Sequence, residues 1–182
     1  MDHSTIYRWV IKFAGTIEKN VRRLKDPTAG RWKLDETYIK VKGVWTYLCR
    51  AVDSHGDTVD FYLSKHRDSG GAKRFLRKAI RYNGTPEKVN IDKSGANKSA
   101  LDGYNEQHSK QIEVGQSKYM NNIVEQDHRQ VKRHHKLAQG YKTVRTARIT
   151  ISGIEAMHML RKGQVQGFGT TFAQTFWGMF GA

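Results

Sequence analysis

Trp32-Lys33-Leu34-Asp35-Glu36-Thr37-Tyr38-Ile39-Lys40-Val41-Lys42-Gly43-Val44-Trp45-Thr46-Tyr47-Leu48 is a run in which β-branched and aromatic residues crowd around a single glycine. Such residues suit a pleated, half-buried surface. Residues 32–42 therefore read as a strand, Gly43 as a turn, and residues 44–52 as the strand that returns. Asp53-Ser54-His55-Gly56-Asp57 supplies a second set of turn residues, and residues 58–64 a third strand. Strands joined this closely predict an antiparallel meander.

Beyond residue 64 the period of the apolar residues changes. Ala72, Phe75, Leu76, Ala79 and Ile80 recur at helical spacing, and the helix closes near Gly84. Pro86 precedes a short strand, 88–91, which ends at Asp92. Residues 96–104 read as a helix, 111–114 as a further strand, and 118–135 and 143–161 as two more helices. A meander followed by βαβ units predicts an α/β fold, a mixed sheet with helices on both faces. Toward the N-terminus, Ser4 reads as the cap of a helix to about residue 20, with Ile6, Trp9, Val10, Phe13 and Ile17 on one stripe. A basic connector, 21–31, is broken by Pro27 and Gly30, and the domain boundary is placed there. Residues 163–182, rich in Gly, Phe and Thr, read as a loosely packed tail.

Charge narrows the function. Among 182 residues, 32 Lys and Arg face 17 Asp and Glu, a net charge of +15. Such an excess implies a polyanionic partner, since neutralising phosphates releases condensed counterions. Nucleic acid fits better than an anionic membrane, because no long basic amphipathic helix with a bulky apolar face stands out. No apolar run approaches the ~20 residues needed to span a bilayer, and the N-terminus lacks a signal-peptide pattern. The single cysteine, Cys49, lies in an apolar run and reads as a buried free thiol, which fits a reducing cytoplasm. Trp32 and Trp45 read as core residues.

Three carboxylates stand in places that need explaining. Asp35 and Glu36 sit together inside a predicted strand, where acids are poor formers. Asp92 ends a strand, the position where open α/β sheets hold ligands. Glu125 shares a helical face with Asn121, Asn122, His128, Arg129 and Lys132. Clustered carboxylates repel one another, and divalent cations relieve the repulsion; Mg²⁺ prefers carboxylate oxygens and water. A pair of such ions about 3.5–4 Å apart serves phosphodiester displacement. Taken singly, each acid also has a plainer reading. Asp92 equally suits a cap before Lys93-Ser94-Gly95, and Glu125 an i,i+4 pair with Arg129. Lys65, His66 and Arg67 read as a solvated strand end or a phosphate contact. His128 with His134 and His135 reads as a basic patch rather than a metal site.

The stretch from Trp32 to Leu48 resembles the first active-site motif of DDE transposases of insertion sequence family six, the group typified by insertion sequence twenty-six. Arg50-Ala51-Val52-Asp53, residues 64–68, Asn90-Ile91-Asp92-Lys93, residues 118–129 and residues 146–157 continue the likeness over nearly the whole chain. The resemblance implies an RNase-H-like fold with a mixed five-stranded sheet flanked by helices. It implies that Asp35, Asp92 and Glu125 are the catalytic, metal-binding acids, holding two Mg²⁺ ions for which Mn²⁺ can substitute. The chemistry implied is strand cleavage by water, then attack of the freed 3′-hydroxyl on target DNA. Lys132 matches the basic residue that the family keeps seven positions after its glutamate. Arg129, Arg133, Asn122, His128 and Arg8 join it as candidate DNA contacts. The expected partner is double-stranded DNA, bound by a homo-oligomer associated with the bacterial nucleoid.

Residues 3–10 resemble the recognition helix of a helix-turn-helix whose preceding helices this sequence lacks, so the resemblance implies an N-terminally truncated chain. The expected layout is a helix-turn-helix remnant over 1–24, a linker over 25–31, the catalytic domain over 32–162 and a tail over 163–182. The competing readings are a non-catalytic DNA-binding fragment of an inactivated transposase and a basic RNA-binding protein. The latter has no use for acids at these three positions.

Overall fold

The computed structural model of the chain describes residues 2–92, 94–116, 129, 131–133, 141–167, 169 and 171–181. It divides into two compact units, Thr28–Gly140, and Met1–Pro27 together with Tyr141–Ala182.

The first of these units is built on a sheet. Strands β1 (Arg31–Val41), β2 (Val44–Asp53) and β3 (Thr58–Ser64) form the expected meander, and β4 (Lys88–Ile91) and β5 (Glu113–Gln116) complete the order β3-β2-β1-β4-β5. The first three strands are antiparallel, and β4 and β5 run parallel to β1. The sheet is thus mixed and five-stranded, as the sequence predicts. Strand β5 starts two residues later than expected, because Ile112 leaves the pattern to enter the core before pairing begins.

Val41 pairs with Val44, so only Lys42 and Gly43 turn the first hairpin. Both have positive φ, 53° and 77°. That is the conformation of a two-residue turn whose twist matches the flanking strands. The second turn is held by Asp53, whose buried carboxylate accepts the backbone N–H groups of His55, Asp57 and Ala29, each at 2.9 Å.

Helices α2 (Ser69–Asn83) and α3 (Gly95–Asn105) lie on one face of the sheet. Phe75, Leu76, Ala79, Ala100 and Leu101 pack there against Trp32, Leu34, Cys49, Ala51, Val89 and Ile91. Asp68 caps α2, and Gly84, at φ 78°, closes it with its N–H on the Ile80 carbonyl. On the opposite face, Ile39, Val41, Leu48, Val52, Phe61 and Leu63 are also buried. Strand alternation supplies both apolar faces. One tryptophan departs from expectation. Trp32 is core, but Trp45, near the tip of the first hairpin, is 54% exposed. Its ring packs edge-on against Tyr38, and Lys40 lies over it.

The second unit contains α1 (His3–Leu24), α4 (Val144–Arg161) and α5 (Phe172–Gly181). Helix α1 runs past the predicted end at residue 20, because Val21 is fully buried and Leu24 packs beside it against Ala156, Met159 and Leu160. Its N-cap position is Asp2 rather than Ser4; the Ser4 hydroxyl donates to the Asp2 carboxylate instead of capping the helix. Gly153 of α4 meets Ala14 of α1, where a Cβ would stand 3.0 Å from the alanine methyl. Thr143 caps α4, accepting from the Thr146 N–H at 3.1 Å. The stretch after residue 162 is not a loose tail. It bridges Lys25 through Val165, bonds back to Leu24 and Asp26, and buries Met179. Its glycines interrupt the sequence, yet Phe172, Phe176 and Phe180 still recur every fourth residue along one helix, the first two rings stacked and the third tilted against Phe176.

Candidate active site

Two of the three expected acids follow residues that pair on the sheet. Leu34 of β1 pairs with Ile91 of β4 in parallel register, and both side chains point into the core beneath α2 and α3. Asp35 is the next residue of β1, and Asp92 is the residue that follows β4. Alternation turns Asp35 to the face opposite α2 and α3, whereas Asp92 stands where the chain leaves the sheet. Both are half-buried. Arg50 stands across from Asp35 on β2, on the same face.

Glu36 follows Asp35 and so points the other way. Its side chain is 7% exposed and holds two partners. Arg67 donates Nε–H to Oε2 at 2.8 Å, and Ser94 donates its hydroxyl to Oε1 at 3.4 Å. The backbone N–H of Ser94 in turn donates to Asp92 Oδ1 at 3.0 Å. Glu36 therefore ties the β3–α2 loop and the turn after β4 to the strand that carries Asp35. Partial burial pulls the Arg67 guanidinium down in pKa, but the charge and hydrogen bond of Glu36, with smaller help from Tyr38 and Asp92, hold it above its ordinary value.

The loop that carries Arg67 is pinned at both ends. The Ser64 hydroxyl donates to the His66 carbonyl at 3.0 Å, and Asp68 Oδ1 accepts from the Gly71 N–H at 2.6 Å. A Cβ on Gly71 would lie 2.7 Å from the Ser64 hydroxyl oxygen, so only glycine lets the first turn of α2 come this close.

Glu125, Asn122 and His128 lie outside the described residues. Arg129 and residues 131–133 are helical; Val131 is buried, whereas Arg129, Lys132 and Arg133 are exposed. Arg8 is exposed on α1, its guanidinium donating to the Thr5 hydroxyl at 3.1 Å. Among the described residues, no group of three His, Cys, Asp or Glu side chains comes together as a metal site. Asp35 and Asp92 nonetheless present oxygen donors from adjacent strands, the donor chemistry that hard divalent cations take. The sequence did not single out Arg50 or Ser94. For Glu36 the signal was present: two adjacent acids on one strand must serve opposite faces.

The model of a DDE domain, DDE_Tnp_IS240, matches residues 29–164. The chain is also 37% identical over 168 residues to the transposase for insertion sequence-like element IS431mec of Staphylococcus aureus, covering 88% of this chain and 70% of that protein. This chain belongs to the DDE transposase family. The same identity and coverage relate this transposase to that of insertion sequence element IS257 in transposon Tn4003 of S. aureus. Among solved structures, the catalytic core domain of HTLV-2 integrase, determined in complex with magnesium in a dimeric form, is similar at TM-score 0.56 and 20% identity, over 82% of this chain and 97% of that one. At that identity the likeness concerns the fold, and it identifies the mixed sheet of this transposase as RNase-H-like. Family and fold together imply use of a divalent metal. No described helix is long and apolar enough to cross a membrane.

Proposed function

We propose that this transposase cleaves DNA strands and joins the freed 3′ ends to target DNA, in the movement of a bacterial insertion sequence. The observation that supports the reading is that Asp35 on β1 and Asp92 just after β4 each follow one residue of the partnered pair Leu34 and Ile91, on parallel neighbouring strands of the RNase-H-like sheet.

Asp35, Asp92 and Glu125 would hold two divalent cations, Mg²⁺ or Mn²⁺. When bound, such ions activate an attacking oxygen and stabilise a leaving one. The chain's own groups do the positioning. The Ser94 N–H fixes one oxygen of Asp92 and leaves the other to the site. Arg50 puts a buried positive charge behind Asp35. In the first step water adds to phosphorus and the strand leaves as a 3′-hydroxyl. In the second, that hydroxyl adds to a target phosphodiester and displaces the target's own 3′ oxygen. Lys132, Arg129 and Arg133, with Asn122, His128 and Arg8, would contact the backbone of double-stranded DNA. Such contacts would draw on the excess of 15 positive charges. The working form is a homo-oligomer, since two element ends and a target must meet.

A strand-transfer assay with Mg²⁺, a donor end and a target plasmid tests the reading. Wild-type protein yields joined products; Asp92→Asn yields none yet binds the donor end as tightly. Normal joining by Asp92→Asn would refute the role of the acid pair.

A further inference from the structure

Glu36 and Arg67 make more than a structural ion pair. Ser94 bridges Glu36 and Asp92, so two carboxylates stand near each other at the turn after β4, a field that repels the phosphates of an approaching DNA strand. A cation fixed at that point is needed, and Arg67 is placed for it. Its guanidinium plane carries five donors, of which the Nε–H is the one with a partner among the described residues. The side chain is 42% exposed, and its partner Glu36 is joined through Ser94 to Asp92. The loop beneath it is locked by Ser64 and Asp68, so the guanidinium is presented from a stiff support.

We propose that Arg67 is a phosphate-binding residue of the active site: Glu36 grips its Nε edge, and its Nη edge holds a non-bridging phosphate oxygen of the strand lying against Asp92. Glu36 acts as a positioning residue, setting the plane of the guanidinium. This rests on the reading of the chain as a transposase acting on DNA.

The test is equilibrium binding of a donor-end duplex in Ca²⁺, over a range of salt concentrations, with single methylphosphonates scanned along the strand. Wild-type protein shows a steep salt dependence and loses affinity when one particular phosphate near the cleavage point is neutralised. Arg67→Ala weakens binding roughly tenfold or more, lowers the salt slope by about 1, and becomes insensitive to neutralisation of that one phosphate. Glu36→Gln retains the salt slope, because the charge remains, but loses much of the sensitivity at the same phosphate. Arg67→Lys, which keeps the charge and preserves the fold if alanine does not, behaves like Glu36→Gln. Equal sensitivity of wild type and all three variants at every phosphate, with unchanged salt slopes, overturns the proposal. Wild-type protein that binds DNA without salt dependence would instead overturn the reading on which it rests.

Discussion

Arg50 faces Asp35 directly across the β1–β2 ladder and is 1% exposed. Burying a guanidinium is costly unless opposite charge and hydrogen bonds compensate it. Its location behind an acid of the candidate site therefore ties stability to chemistry. Arg50→Met keeps the length and removes the charge. Unfolding free energy falls by about 3 kcal/mol, measured by urea denaturation, and strand transfer falls with it. A variant equal to wild type in both assays would detach Arg50 from the site.

Ser94 makes two bonds that substitution can separate. Its hydroxyl donates to Glu36 and its backbone N–H to Asp92. Ser94→Ala removes the weaker, longer bond and keeps the N–H, so strand transfer drops only a few-fold. Ser94→Pro removes the N–H that orients Asp92, and a misplaced catalytic group costs on the order of 100-fold. The rate ratio between the two variants is the measurement; equal rates would mean that the turn after β4 does not orient the acid.

Lys42 holds φ at 53° in the two-residue turn beside Gly43. A lysine in the left-handed region pays a steric penalty that asparagine largely escapes. Lys42→Asn raises stability by roughly 1 kcal/mol, read as an upward shift of the thermal midpoint. The turn lies at the hairpin tip, so strand transfer stays near wild type. A lower midpoint would contradict the turn assignment.

Cys49 gives a pH signature. Burial, and then the carboxylates of Glu36 and Asp35, push its thiol up to about 12 from an ordinary 9.0, with Arg67 opposing. The folded state keeps the proton that the unfolded chain loses. The stabilisation is complete below about pH 9 and is lost as pH rises toward 12. Between pH 8 and pH 10 the urea midpoint of wild type therefore falls more than that of Cys49→Ala. Parallel curves for the two proteins would show that the thiol does not titrate differently on folding.

Much of this was legible along the chain. The meander was written in β-branched residues on either side of Gly43, and the change to helical spacing at Ala72 announced the crossover to β4. Asp35 and Asp92 could be marked because each stands where local propensity disfavours or terminates a strand. Trp45 could not be placed, since its strand position is equivalent to that of Cys49, and only the reach of α2 and α3 makes one exposed and the other core. The C-terminal stretch misled for a related reason. Its glycines look like breakers until α1 supplies a surface against which Phe176 and Met179 can pack.

By itself, the sequence determined the five strands and the helices up to residue 116, the excess of positive charge, and the two aspartates, one inside the first strand and one after the fourth, because these depend on spacing and side-chain chemistry within a short window. The tertiary structure alone decided that β4 lies beside β1, so that Asp35 and Asp92 each follow one residue of a partnered pair, and that Glu36 gathers Arg67 and Ser94 on the face away from Asp35. Register between strands more than fifty residues apart is set by the burial of Leu34 and Ile91 in one shared core, and no local pattern encodes it.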